Sequence, residues 1–432
     1  MKSHRISLRC FRVAAVTIGA AHYPYADAGE RNVAPAHARR LRAAAHAMKT
    51  LVSLALVALP AFAAFPNGYS YCKVVTTSHA MVSGTNDLAN YPLTVILTDA
   101  DLRTSGNGGL VNNSNGYDIG FYPDCSGFGT ALKWEMESYS ATTGAIVAHV
   151  LRPTLSHTTN DAIGMFYGGS FSSFQSTASA VWDSTYKGVW HLANPTNPTD
   201  STGSSNGTNH GSTATTGQID GGAAFVAASS QYATAPLDLS GTAIVTLEFW
   251  LNQTAFSNND ALQFEFTSNV NSVTTGFIVD GGSSAPASGK FVFGFKGNGS
   301  VGGFLEAAFT RPTTGAWHHY ALIMNKTAGA NSVTPYVDGV TPTGLQTGLT
   351  GFSDTSNSNN FGNSTLYFMS RNGASLFNGG SLDEVRVSTI ARSADWVLTG
   401  YRNQSAPGTY ISAGPRTVWG ATHVRHVVTG GA

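Results

Sequence analysis

Thr246-Leu247-Glu248-Phe249-Trp250-Leu251 alternates without a break, with Leu247, Phe249 and Leu251 on one face and Thr246, Glu248 and Trp250 on the other. Successive strand side chains point to opposite sides of a sheet, so the pattern predicts a strand with one core face and one outer face. Further along, Val337-Asp338-Gly339-Val340 reads as a hairpin tip, because Asp-Gly supplies the positive φ that a type I′ turn needs. Trp190-His191-Leu192, Gln231-Tyr232-Ala233, Trp317-His318-His319-Tyr320-Ala321 and Leu382-Asp383-Glu384-Val385-Arg386-Val387 read as further strands. Short strands between loops rich in Gly, Ser, Thr and Asn predict an all-β sandwich.

Together with the polar loop Asp200 to Thr208 and the segment Gly217 to Phe225, these strands resemble a laminin-G-like domain of the concanavalin-like superfamily across residues 188–412. The resemblance implies a jelly-roll β-sandwich. It also implies one structural calcium ion, held by the acidic residue that opens the last strand, here Asp383. Calcium takes about six to eight oxygen ligands, so Asp200 and the loop Ser201 to Asn206 are the expected helpers. Trp250 and Glu248 share the outer face of their strand and are the candidate ligand-binding pair, a ring to stack on a sugar beside a carboxylate to hydrogen-bond it. The bland alternative is that another part of the chain covers the Trp.

Between residues 65 and 170, Tyr71 to Val75, Leu93 to Leu97, Ile119 to Tyr122, Leu132 to Tyr139, Ile146 to Leu151 and Ile163 to Tyr167 predict a small antiparallel β-sandwich. Tyr91-Pro92-Leu93, Tyr117-Asp118-Ile119, Leu132 to Tyr139 and Met165-Phe166-Tyr167-Gly168-Gly169 resemble the β-domain of bacterial secreted proteins known as domain of unknown function 2341. That resemblance implies a fold and no activity. Residues 171–187 read as a linker, and Ser393 to Leu398 as a short helix with Ser393 as its N-cap. Residues 413–432 have no pattern and are expected to form a disordered tail.

Glu135 and Glu137, two apart on a strand, project to one face. Paired carboxylates serve retaining glycosidases, but here they lie in the small domain, and the third acid of such a strand is replaced by Ser140 or Ala141. His318 and His319 are adjacent on a strand and point to opposite faces, so they do not share an ion. Nucleophile elbows, phosphate-cradling glycine loops and Cys/His zinc spacings are missing from the sequence. An enzyme is therefore not expected. The alternatives are a polysaccharide hydrolase or lyase using dispersed acids such as Glu248 and Glu265, or a structural envelope or fibre component.

Met48-Lys49, the apolar run Leu51 to Leu59, Pro60 and Ala61-Phe62-Ala63 form a secretory signal peptide over 48–63, with cleavage expected after Ala63 or Ala64. The run is too short for the roughly 20 residues that cross a bilayer. Residues 1–47 then precede the true start or form an unstructured leader. Residues 1–64 hold nine of the 24 Lys/Arg and two of the 24 acids, leaving 15 bases against 22 acids. That balance, with no basic cluster, argues against a nucleic-acid or anionic-membrane surface. Export also predicts a disulfide between Cys72 and Cys125, worth about 4 kcal/mol in the chain-entropy model. The expectation is a secreted, cell-surface or periplasmic, non-catalytic binding or adhesion protein whose partner is a glycan or a surface or matrix protein.

Overall fold

Strands at both ends of the chain close into two sandwiches in the computed structural model, which describes residues 64–257, 259–282, 288–297 and 303–419. The leader 1–47, the signal peptide 48–63 and the last part of the tail, 420–432, lie outside the described residues. The described residues all belong to one compact unit, Phe62–Ala432.

The small sandwich contains β1 (Tyr71–Thr77), β2 (Leu88–Thr98), β3 (Ile119–Tyr122), β4 (Trp134–Tyr139), β5 (Ala145–Leu155) and β6 (Asp161–Tyr167). One sheet has β6 between β1 and β3, and the other has β5 between β2 and β4, all antiparallel. Leu93, Val95, Phe121, Trp134, Val150 and Met165 fill the space between them. Cys72 on β1 is disulfide-bonded to Cys125 in the loop after β3, with Cα atoms 5.8 Å apart.

The jelly roll follows as β7 (Tyr186–Trp190), β8 (Thr208–His210), β9 (Thr213–Thr216), β10 (Gly221–Phe225), β11 (Tyr232–Asp238), β12 (Ile244–Asn252), β13 (Leu262–Phe266) and β14 (Phe277–Asp280). It continues through β15 (Lys290–Lys296), β16 (Phe304–Thr310), β17 (Trp317–Asn325), β18 (Ser332–Val337), β19 (Gln346–Thr347), β20 (Asn363–Phe368) and β21 (Gly380–Ser388). A seven-stranded sheet runs β18-β17-β12-β21-β10-β9, with β7 also on β21. An eight-stranded sheet runs β19-β16-β15-β14-β13-β20-β11-β8. Leu247, Phe249 and Leu251 face the core as the alternation requires, against Phe264, Phe291 and Phe293 of the opposite sheet. Phe249 and Phe291 both stack on Tyr320, at 5.0 and 4.8 Å.

The hairpin tip adopts the expected turn, with φ of 51° at Asp338 and 79° at Gly339. A Cβ on Gly339 would stand 2.7 Å from a methyl of Leu398, so the tip needs glycine for its close approach as well as for its φ.

Leu398 belongs to α1 (Ala394–Ser405), whose N-cap Ser393 accepts from the Trp396 N–H at 3.1 Å. This helix is longer than the sequence pattern predicts, and it holds both sandwiches. Asn403 bonds the backbone N–H and C=O of Thr94 on β2, each at 2.8 Å, while Gln404 accepts from the indole of Trp250 on β12 at 2.5 Å. Beyond it, β22 (Ile411–Ala413) and β23 (Thr417–Val418) both pair with β1. The segment expected as disordered from 413 onward is therefore paired as far as Val418. The open edge of β1 offers unpaired backbone groups, and the returning chain satisfies them.

Candidate functional site

Where the small sandwich meets the seven-stranded sheet, charged side chains from both are buried together. On β4 Glu135 pairs with His149 of β5, and Glu137 is the extra residue of a bulge between Met136 and Ser138. Trp190 turns into the jelly-roll core, so His191 turns out of it. On β21 a bulge decides the arrangement. Glu248 pairs with Arg386 and Trp250 with Asp383, leaving Glu384 and Val385 opposite the single residue Phe249. Glu384 sits at φ 52°, a conformation that costs a non-glycine residue of the order of 1 kcal/mol. With that extra residue, Val385 faces the core while Asp383, Glu384 and Arg386 all leave it.

His191 lies at the centre. Its Nε2 is 2.8 Å from Glu135 Oε1, and its Nδ1 is 2.5 Å from Glu384 Oε1 and 3.6 Å from Glu137 Oε2. His149 stacks on it with ring centroids 4.6 Å apart. The His149 Nε2 is 2.9 Å from Glu137 Oε2, and its Nδ1 is 3.2 Å from the Thr94 hydroxyl. Arg386 pairs with the second oxygen of Glu384, and the Trp182 indole donates to Glu135 at 3.0 Å. Burial pushes Glu137 and Asp383 well above the usual carboxylate range, with Glu384 adding to both shifts. Burial and the neighbouring His191 drive His149 down to about 3. Burial opposes the charged form of His191 as well, but Glu384, Glu137 and Glu135 outweigh it and hold its pKa well above the ordinary histidine value. The cluster joins the two sandwiches, since His191 and Glu384 of the jelly roll meet Glu135 and Glu137 of the small sandwich.

The candidate residues read from the sequence are distributed as follows. Asp383 belongs to this cluster, with Oδ2 accepting from the Ile219 N–H at 2.9 Å. Asp200 does not join it. Its oxygens accept from the backbone N–H groups of Val189, Thr202, Ser204 and Ser205 at 2.8 to 3.0 Å, which organises its own loop. Trp250 is 2% and Glu248 6% exposed, both beneath the small sandwich and α1. His318 bonds Asp338 at 2.7 Å while His319 is buried beside the Trp250 ring, and the two do not converge. Spacing alone hid the cluster, because Glu137 and His149 on the paired strands β4 and β5 are met by His191 and Glu384 from much later in the chain.

The eight-stranded sheet carries a second candidate, a groove of about 250 Å³ on its outer face. Asp280 from β14, Glu306 from β16, Asp260 and Arg371 provide its polar lining, and Phe304 and Phe352 provide ring surface. Glu265, on the same face of β13, accepts from the Arg371 Nε at 2.8 Å. Burial, with Asp280 and Asp260 adding repulsion, pushes Glu306 up to about 8. Burial pushes Asp280 up to about 6 despite N–H donation from Gly282 and Ala261.

Residues 226–398 match the family described as the concanavalin A-like lectin/glucanases superfamily. The jelly roll is concanavalin-like. No curated protein matches the sequence. Among solved structures, the binding domain of Paraclostridial Mosquitocidal Protein 1 is similar at 11% identity and a TM-score of 0.38, over 50% of this chain and 52% of that one. The binding domain of botulinum neurotoxin serotype G is similar at 11% identity and 0.39, over 51% of each chain. Domain 4 of AbnA, a GH43 extracellular arabinanase from Geobacillus stearothermophilus, is similar at 15% and 0.31, over 50% of this chain and 97% of that one. This chain thus spans about half the length of the two toxin domains.

Proposed function

We propose that this chain is a secreted, non-catalytic binding protein that holds a glycan, or a glycan-bearing surface partner, in the groove on the eight-stranded sheet. The observation that carries the reading is the lining of that groove, where the rings of Phe304 and Phe352 stand with the carboxyl groups of Asp280 and Glu306 and the guanidinium of Arg371. Sugar rings offer apolar faces rimmed by hydroxyl groups, and sites that mix ring surface with a few placed polar groups suit them. The disulfide fits an oxidising compartment.

A second reading, a polysaccharide-active enzyme, is favoured by Glu306 alone. A carboxyl group pushed up to about 8 keeps its proton at neutral pH, as a general acid must. One experiment separates the two. The full chain is screened on a glycan array, hits are titrated by calorimetry, and reducing ends are assayed on the same glycans. Binding without new reducing ends, weakened in Asp280→Asn and Arg371→Ala, supports the binding protein. Hydrolysis lost in Glu306→Gln supports the enzyme. An array without hits, together with no attachment to glycan-bearing cells, overturns both.

A further inference from the structure

We infer that Glu137, His149, His191 and Glu384 form a binding site for a divalent transition-metal ion of the zinc class, which clamps the small sandwich to the jelly roll. One ligand atom from each of the four lies within 4.8 Å of all the others. Two come from the small sandwich, on β4 and β5, and two from the jelly roll, after β7 and on β21.

The arrangement is that of a metal site with its surrounding partners already in place. Each histidine in such a site offers one nitrogen to the ion and donates its other N–H to a fixed acceptor. The His191 Nε2 meets Glu135 at 2.8 Å, and the His149 Nδ1 meets Thr94 at 3.2 Å. That leaves the His191 Nδ1 and the His149 Nε2 turned towards the carboxylates of Glu384 and Glu137. The outer oxygen of Glu384 is held by Arg386. By contrast, Glu137 Oε1 is buried and has no hydrogen-bond partner, although its side chain is only 2% exposed. A buried carboxyl oxygen without a donor is costly, and an ion beside it removes that cost.

Charge points the same way. Glu135, Glu137, Asp383 and Glu384 are buried together, and Arg386 is the one permanent cation among them. A divalent ion beside these acids offsets part of their charge, and imidazole ligates metal in its neutral form. Two nitrogens and two carboxylate oxygens suit zinc and its neighbours, whereas calcium takes about six to eight oxygens. Four protein ligands in a closed, buried site describe a structural ion.

The test uses the full chain, freed of metal by a chelator and confirmed folded by near-ultraviolet circular dichroism. Zn²⁺ and Co²⁺ are then titrated by calorimetry and visible absorption. The expected result is one ion per chain, intense Co²⁺ bands of four-coordinate geometry, and a melting temperature that rises with the ion. Glu137→Gln, nearly isosteric, abolishes the Co²⁺ bands. Glu135→Gln, which changes the group that holds the His191 Nε2 and the Trp182 indole, weakens affinity by about 10–100-fold. A folded chain that takes up only substoichiometric Zn²⁺, Co²⁺ and Mn²⁺, that binds Ca²⁺ alone, or that binds Zn²⁺ equally well in Glu137→Gln and His149→Asn overturns the inference.

Discussion

The two sheets of the jelly roll both send acidic residues to their outer faces, and the two sets meet different surroundings. On the seven-stranded sheet Glu248, Trp250, Glu384 and Arg386 are covered by the small sandwich and α1, so their charges are answered by protein. On the eight-stranded sheet Asp280 and Glu306, each 6% exposed, line a groove whose walls come from the jelly roll alone, and Glu265 is fully buried against Arg371. The difference teaches that alternation identifies which residues leave a core, while function depends on what comes to cover them.

The largest effect is expected on the covered face. Trp250→Ala removes a buried indole from between β12 and α1 and should cost about 3–5 kcal/mol, read as a lower urea midpoint. A loss below about 1 kcal/mol would place the Trp at a loose interface instead.

Next comes the open face and its pH dependence. Glu306 has a folded pKa raised to about 8, so between the ordinary carboxylate value and that pH the folded state keeps a proton that the unfolded chain has released. Stability from this group is therefore full in acid and is lost as pH rises through about 8. Asp280 adds the same trend, up to about 6. The loss amounts to a few kcal/mol at most, at about 1.4 kcal/mol per unit of displacement. Urea midpoints from pH 5 to 9 should fall for the parent chain and fall less for Glu306→Gln. Equal slopes would show that the groove does not desolvate Glu306.

Smaller effects sharpen the contrast. Asn403→Ala breaks both bonds to Thr94 and should cost about 1–3 kcal/mol, with faster hydrogen exchange along β2. On the open face Tyr367 bonds only Asn372 at its hydroxyl, and Tyr367→Phe should stay within about 0.5 kcal/mol of the parent.

Much of this architecture is legible in the sequence, for local reasons. Leu247, Phe249 and Leu251 point inward because a strand has a period of two, Asp338-Gly339 turns because glycine admits positive φ, and Ser393 caps a helix whose first N–H groups need an acceptor. The cover over Trp250 is not legible, because it comes from α1, more than a hundred residues later in the chain. The His/Glu cluster is hidden for two reasons. Its members are brought together only by the packing of two sandwiches, and Glu384 reaches the same face as Asp383 only through a bulge that strict alternation does not anticipate. The pairing of the C-terminal segment with β1 is likewise decided by an open sheet edge, which no local pattern in residues 413–418 announces.

The central claim is that the eight-stranded sheet faces the ligand and the seven-stranded sheet faces the protein's own second sandwich. Hydrogen exchange of the full chain, with and without the strongest glycan from the array, tests it directly. Ligand-dependent protection is expected in Leu262–Asp280, Phe304–Thr310 and 352–371, with Thr246–Leu251 equally protected in both states. Protection that appears instead on Thr246–Leu251, or on the small sandwich alone, would contradict it.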